Sequence, residues 1–195
     1  TVNRALHSPN TAVVDPHLIL EKIYSELKKS GVTILFNEKV VLANPDLSTI
    51  ETNNGNIFKY GHLINCTGQY SDVVSKIFNV GCKYTLLPFK GVYYGLNKDS
   101  DIKINGLIYP VPDLNVPFLG IHSVKLINED IYFGPTATPA FGRENYYGIK
   151  GVNIKDASSI SYHLLRQYIS NKQGFRSYTH QEMHKFFKKE FLKSM

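Results

Sequence analysis

Around Gly81 the hydrophobic pattern of this sequence changes period, so the chain cannot be all helix or all sheet. Before Gly81, helical and strand-like runs alternate. Pro16–Ser30 carries Leu18, Ile19, Ile23, Tyr24 and Leu27 on one helical face. Asp15 suits its N-cap, Pro16 its first turn and Gly31 its stop. Short apolar runs follow at Val32–Phe36, Val40–Ala43 and Leu47–Thr52. Asn53-Asn54-Gly55-Asn56 is a hairpin turn signal, with Ile57–Tyr60 as the return strand. His62–Cys66 reads as a short buried strand that stops at Thr67-Gly68 and feeds a helix over Ser71–Phe78. After Gly81, Tyr84–Leu96 is long, aromatic and β-rich. Gly106–Val111, Pro117–Val124 and Asp130–Thr136 are further strand candidates of an antiparallel sheet. Helical patterns return at Ala157–Ile169 and Thr179–Lys193. The expected class is α/β plus α+β, with a domain over residues 1–80 and an antiparallel-sheet domain with C-terminal helices over 81–195.

Composition excludes several classes. No apolar run approaches the roughly 18–20 residues that span a bilayer. Two cysteines, Cys66 and Cys82, cannot staple a disulfide scaffold and are read as reduced thiols. The net charge is +6, and its densest cluster is Lys185, Lys188, Lys189 and Lys193 around Phe186, Phe187 and Phe191. That pattern reads as an amphipathic terminal helix, with peripheral contact to an anionic membrane surface as the alternative and no nucleic-acid partner expected. The seven histidines are scattered and no metal site is expected; His180 and His184 lack a third ligand. A nucleophile elbow, G-x-S-x-G, is absent, and so is the dinucleotide turn G-x-G-x-x-G. The chain starts at Thr1 with the texture of a domain interior and is expected to be a piece of a longer protein.

Three places could carry chemistry. Small residues at the strand end, Cys66-Thr67-Gly68, would let the backbone approach a ligand. A turn with a purely structural purpose would look the same. Lys90, between Phe89 and Gly91 and close to Tyr93 and Tyr94, could meet an anionic substrate or simply lie on the surface beside core aromatics. Tyr109 and His122 would become neighbours if the strands bearing them pair across a turn near Asp113. Histidine is the side chain best able to accept a proton near neutral pH.

Ala5-Leu6-His7-Ser8-Pro9, Asn65-Cys66-Thr67-Gly68 with Ser71-Asp72, and Pro88–Tyr94 occur in this order. Leu107–Asp113, Pro117–His122, Gly134-Pro135 and Ala140-Phe141 with Arg143-Glu144 follow. Together they resemble the L-2-hydroxyglutarate dehydrogenases/oxidases of the FAD-dependent D-amino-acid-oxidase-like superfamily. The resemblance implies part of a Rossmann-like FAD domain joined to a substrate domain. For the longer protein of which this chain would be a piece, it also implies oxidation of L-2-hydroxyglutarate to 2-oxoglutarate by hydride transfer to the flavin, the piece being expected to be inactive alone. His122 would be the base and Tyr109 would orient the substrate. Lys90, Lys125 and Tyr94 would contact this small dicarboxylate, and Val40, Cys66, Thr67 and Gly68 would contact FAD. The family has Arg where this chain has Lys90, which keeps the charge but loses the bidentate fork. The electron acceptor would be a quinone or oxygen. The location would be cytoplasmic or at the inner membrane face, and mitochondrial in a eukaryote. The alternatives are a sister flavin oxidase of another small hydroxy or amino acid, and a non-catalytic flavoprotein remnant.

Overall fold

The computed structural model describes residues 4–112 and 120–193. It forms two compact units, each built from separated stretches of chain. The first comprises residues 1–34, 93–135 and 194–195; the second comprises residues 35–92 and 136–193.

In the first unit, helix α1 spans Pro16–Lys29. Asp15 caps it, its carboxylate accepting the amide hydrogens of His17 and Leu18, and the last turn carries Lys28 and Lys29 where the helix dipole favours cations. Gly31, at φ +77°, lets the chain leave the helix through a conformation that a Cβ disfavours. The run Val32–Phe36 is not a strand. A strand is defined by a partner, and β propensity alone cannot supply one.

The second unit opens on a three-stranded antiparallel sheet, β1 (Val40–Asn44), β2 (Thr49–Thr52) and β3 (Ile57–Lys59), in that order. The Asn53–Asn56 turn joins β2 to β3, and Glu38 holds it by accepting hydrogen bonds from the side-chain amides of Asn54 and Asn56. Helix α2 (Ser71–Ile77) packs on β1. The expected buried strand at His62–Cys66 is absent: the segment pairs with no strand among the described residues, and Ile64 is 84% exposed.

A second three-stranded sheet runs β4 (Phe89–Gly95), β6 (Ile131–Pro139), β5 (His122–Lys125). The β5–β6 pair is antiparallel, with His122 opposite Gly134 and Val124 opposite Tyr132. Of the expected strand Gly106–Val111 only a bridge survives, between Ile108 and Ser123. Pro117–Leu119 and the turn at Asp113 lie outside the described residues.

Helix α3 spans Ile154–Ser170 and is capped by Asn153. The single helix expected over Thr179–Lys193 is two, α4 (Phe175–Lys185) and α5 (Lys188–Lys193). The break leaves Phe186 and Phe187 exposed while Phe191 is wholly buried. Among the described residues, Phe191 joins Ala140 and Ile160 as the buried apolar residues of this unit, and it alone is fully covered. Phe191→Ala should therefore cost about 3–5 kcal/mol of unfolding free energy, and Phe187→Ala well under about 1, in denaturant titrations of the two variants.

Candidate active site

In the first unit, the Ile108–Ser123 bridge brings the two residues with proton chemistry together. Ser123 donates its amide hydrogen to the Ile108 carbonyl at 3.0 Å, and Ile108 donates back to the Ser123 carbonyl at 3.3 Å. The Tyr109 ring then stacks on His122, with centroids 4.5 Å apart and planes 29° from parallel. Glycine at 120 is what permits this approach, because a Cβ there would meet Pro110 Cγ at 2.8 Å. His122 Nδ1 lies 3.0 Å from the Gly120 carbonyl oxygen. A carbonyl only accepts, so Nδ1 carries the hydrogen and Nε2 is left with the lone pair. Opposite His122, Gly134 contributes no side chain.

Tyr93 belongs to the same environment. Burial pushes its hydroxyl pKa up, and Tyr109 adds to the effect. Tyr94 follows it on β4 and takes the other face of the strand, half-buried. By the same alternation, Lys125 leaves β5 on the opposite face from His122. Its ammonium is paired with Glu129, and it lines a cavity of about 330 Å³ with Thr11–Val13 and Asn105–Leu107.

In the second unit, Cys66 and Thr67 are exposed at the turn into α2. Asn65 brackets this turn. Its Oδ1 accepts from the Thr67 amide at 3.2 Å and the Thr67 hydroxyl at 2.6 Å, while its Nδ2 donates to the Ser71 carbonyl and to Ser75 Oγ. Gly68 adopts φ +53°, and nothing lies within 4 Å of where its Cβ would be. The backbone here is open to a large group from outside, which fits a dinucleotide approaching the main chain. Val40 is in the same unit, on the strand against which α2 packs, and the ammonium of its neighbour Lys39 lies 6.0 Å from the Tyr70 ring centroid.

A loop 70 residues further along the chain grips that turn. Arg143 donates from Nη1 to the Gln69 carbonyl and from Nη2 to Asp72 Oδ2 at 3.0 Å, and Nη1 closes the ion pair with Asp72 Oδ1 at 2.8 Å. Glu144 Oε1 accepts from Gln69 Nε2 and from the Tyr70 hydroxyl, both at 2.9 Å. Burial would raise the Asp72 carboxyl, but Arg143, the Leu86 amide and Lys76 outweigh it and hold the group below its ordinary value. Burial and the Glu144 carboxylate raise the Tyr70 hydroxyl, which stays a neutral donor.

The same loop is fastened to β4. Lys90 Nζ donates to Asn145 Oδ1 at 3.0 Å and to the Gly148 carbonyl at 3.1 Å. Asn145 is buried, and its Nδ2 donates to the carbonyls of Gly148 and Lys150. A Cβ at Gly142 would sit 2.1 Å from the Gly151 carbonyl, and one at Gly151 would sit 2.2 Å from that of Glu144. Glycine is required at both crossings.

A cavity of about 910 Å³ in the second unit contains none of the sequence-predicted site residues. Phe141, Leu165, Tyr168, Phe175 and Phe187 are among those that line it, and such a wall does not suit a dianionic substrate. Sequence reasoning did not assign roles to Tyr93, Asp72, Arg143 or Glu144. A signal for Arg143 was present: only four of the 22 basic residues are arginine, so each marks a place where a fork geometry could be needed.

A family model described as FAD dependent oxidoreductase matches residues 1–180. The chain belongs to this family. It is 37% identical over 145 residues to the L-2-hydroxyglutarate dehydrogenase of Indibacter alkaliphilus, covering 73% of this chain and 36% of that protein. It is 30% identical over 181 residues to the mitochondrial L-2-hydroxyglutarate dehydrogenase of Nematostella vectensis, covering 84% and 39%. The Escherichia coli K12 protein of the same name is 30% identical over 140 residues, covering 71% and 33%. The resemblance read from the sequence is thereby borne out. The chain spans between a third and two fifths of the length of these relatives. No helix among the described residues is long and apolar enough to cross a membrane.

The lowered Asp72 value has a consequence for stability. A carboxyl held below its unfolded value near 3.8 contributes fully above that value and loses its contribution as pH falls through the folded value. Asp72→Asn should lower the unfolding midpoint at pH 7 and flatten its fall below about pH 4, as measured by thermal melts across a pH series. An acid limb as steep as that of the unaltered protein would remove Asp72 from this role.

Proposed function

We propose that the protein oxidises L-2-hydroxyglutarate to 2-oxoglutarate with FAD as its cofactor. The observation that carries this reading is the Tyr109–His122 stack, with a histidine whose Nδ1 is committed to the Gly120 carbonyl. Residues 1–80 would form the flavin-side domain and residues 81–195 the substrate-side domain. Val40, Cys66, Thr67 and Gly68 would hold FAD through their backbone, and FAD when bound supplies the acceptor for the substrate's electron pair.

His122 takes the proton of the substrate hydroxyl at Nε2, the only ring nitrogen with a free lone pair in this tautomer. The bond to Gly120 holds the ring in place and disperses the positive charge that protonation creates. Tyr109 covers one face of the imidazole and restricts the substrate to its edge. The resemblance would make Lys90 and Lys125 the cations offered to the substrate carboxylates, with Tyr94 lending a hydroxyl, although Lys125 leaves β5 on the face opposite His122. Each lysine would have to exchange a present partner, Asn145 and Gly148 for Lys90 and Glu129 for Lys125.

That cost favours a second reading, a sister flavin oxidase acting on a hydroxy or amino acid with one carboxylate. Turnover of a panel of mono- and dicarboxylates separates the two. Quinone or oxygen would take the electrons onward. Exposed Phe186 and Phe187 beside Lys188 and Lys189 support peripheral contact with an anionic membrane, mitochondrial in a eukaryotic source.

His122→Gln should slow flavin reduction by L-2-hydroxyglutarate about 10²–10⁴-fold in single-turnover stopped flow. Tyr109→Phe, which keeps the stacked ring, should change it far less. An unchanged rate in the His122 variant would overturn the assignment.

A further inference from the structure

We infer that Arg143 and Glu144 are positioning residues that hold the Thr67–Gly68 turn in the shape its ligand requires; this rests on the reading that the turn contacts FAD. Left to itself the turn is soft. Its backbone hydrogen bonds run from the Tyr70 amide to the Thr67 carbonyl at 3.0 Å and from the Ser71 amide to the Gly68 carbonyl; Asn65 brackets it at Thr67 and at the Ser71 carbonyl, and its 3₁₀ segment is three residues long. So short a segment does not sustain itself. Gly68 is the residue type with the most freedom to lose, and it has open space on its Cβ side. Some other part of the chain must remove that freedom, or the ligand must do so at the expense of affinity.

The loop carrying residues 141–146 supplies this constraint through three of its residues. Arg143 fixes the carbonyl of Gln69, the residue directly after Gly68, and its charge is neutralised by Asp72 in the first turn of α2. The guanidinium carbon lies 5.6 Å from the Tyr70 ring centroid, so the group is held against an aromatic face as well. Glu144 gathers the side chains of Gln69 and Tyr70 onto a single carboxylate oxygen. Tyr146 donates to Gln69 Oε1 at 3.3 Å, so both ends of the Gln69 amide are held. The loop can act as an anchor because it is itself rigid: the buried Asn145 is bonded on both sides, and Gly142 and Gly151 sit at crossings that admit no side chain. A lysine at 143 could keep the attraction to Asp72 but could not also reach the Gln69 carbonyl in the same plane.

The test measures FAD dissociation constants of the apoprotein by flavin fluorescence, alongside thermal midpoints without FAD. Glu144→Ala and Tyr70→Phe each remove bonds between the Glu144 carboxylate and neutral donors at an exposed site, and should weaken FAD binding about 3–10-fold while the FAD-free midpoint stays put. Arg143→Lys should weaken it about 10–100-fold, and its shortfall against the unaltered protein isolates the fork from the charge. Gly68→Ala is the control for the underlying reading. If it leaves FAD affinity unchanged, the turn does not contact the flavin and the reading beneath the inference fails. If Gly68→Ala weakens binding but the Glu144, Tyr70 and Arg143 variants do not, the positioning role alone is overturned. Equal losses of midpoint and affinity in all three clamp variants would also overturn it, because a purely structural part would behave that way.

Discussion

The Arg143–Asp72 ion pair is the contact on which the candidate cofactor face depends. It joins the start of α2 to a loop some 70 residues away, and both side chains are largely shielded from water. Neither charge could stay there alone, since an unpaired buried ion costs several kcal/mol. Arg143 needs Asp72 to be buried, and Asp72 needs Arg143 and the Leu86 amide to remain ionised. The guanidinium donates to the Gln69 carbonyl from the same plane. A pair of this kind adds little net stability compared with a packed apolar pair, but it fixes geometry, because the fork accepts only one arrangement of its three acceptors.

The first unit solves a different problem, the aiming of a single lone pair. An imidazole has two nitrogens and either may hold the hydrogen. The Gly120 carbonyl removes the ambiguity two residues before His122 in the chain. Strand alternation then divides the residues around it. His122 and Val124 share one face of β5, while Ser123 and Lys125 share the other. The buried Ser123 anchors the Ile108 bridge from that second face, its Oγ accepting from the Ile108 amide at 3.2 Å. The residue that pins the Tyr109 segment is thus kept apart from the one that would do chemistry.

Much of the local structure was legible in the sequence because its causes are local. Asp15-Pro16, the Asn53–Asn56 turn and the strand candidate Asp130–Thr136 each rest on signals that act over a few residues, and the elements appear where those signals lie. The juxtaposition of Tyr109 and His122 was legible too, as a consequence of strand pairing. What failed were apolar runs whose strand character needs a partner far away, Val32–Phe36 and His62–Cys66, since no local pattern distinguishes a paired run from an unpaired one. The Arg143 grip was hidden for the same reason. Its partners at Gln69 and Asp72 are fixed only once the chain has closed a loop of about 70 residues, and sequence spacing over such a distance carries no geometric information.

Lys90 has partners in the fold that its sequence neighbours do not announce. Its chemistry, a cation on a half-buried strand among aromatics, suggested an anion partner. In the fold its ammonium is coordinated by two neutral oxygens, Asn145 Oδ1 and the Gly148 carbonyl. Neutral acceptors leave the positive charge uncompensated, so the group remains attractive to a carboxylate even while it ties down the loop. An arginine at this position could keep one face of its fork on the loop and offer the other to a ligand, because its five donors point in fixed directions. A lysine has three donors on one nitrogen, and a carboxylate must compete with the loop for the same atom. The loop that would release Lys90 also carries Arg143 and Glu144, so binding a carboxylate at Lys90 would be felt at the Gln69 carbonyl through Asn145. If Lys90 does take a substrate carboxylate and the Thr67–Gly68 turn does take FAD, a lysine here would link substrate charge to the geometry of that turn, a coupling that an arginine with spare donors would not need.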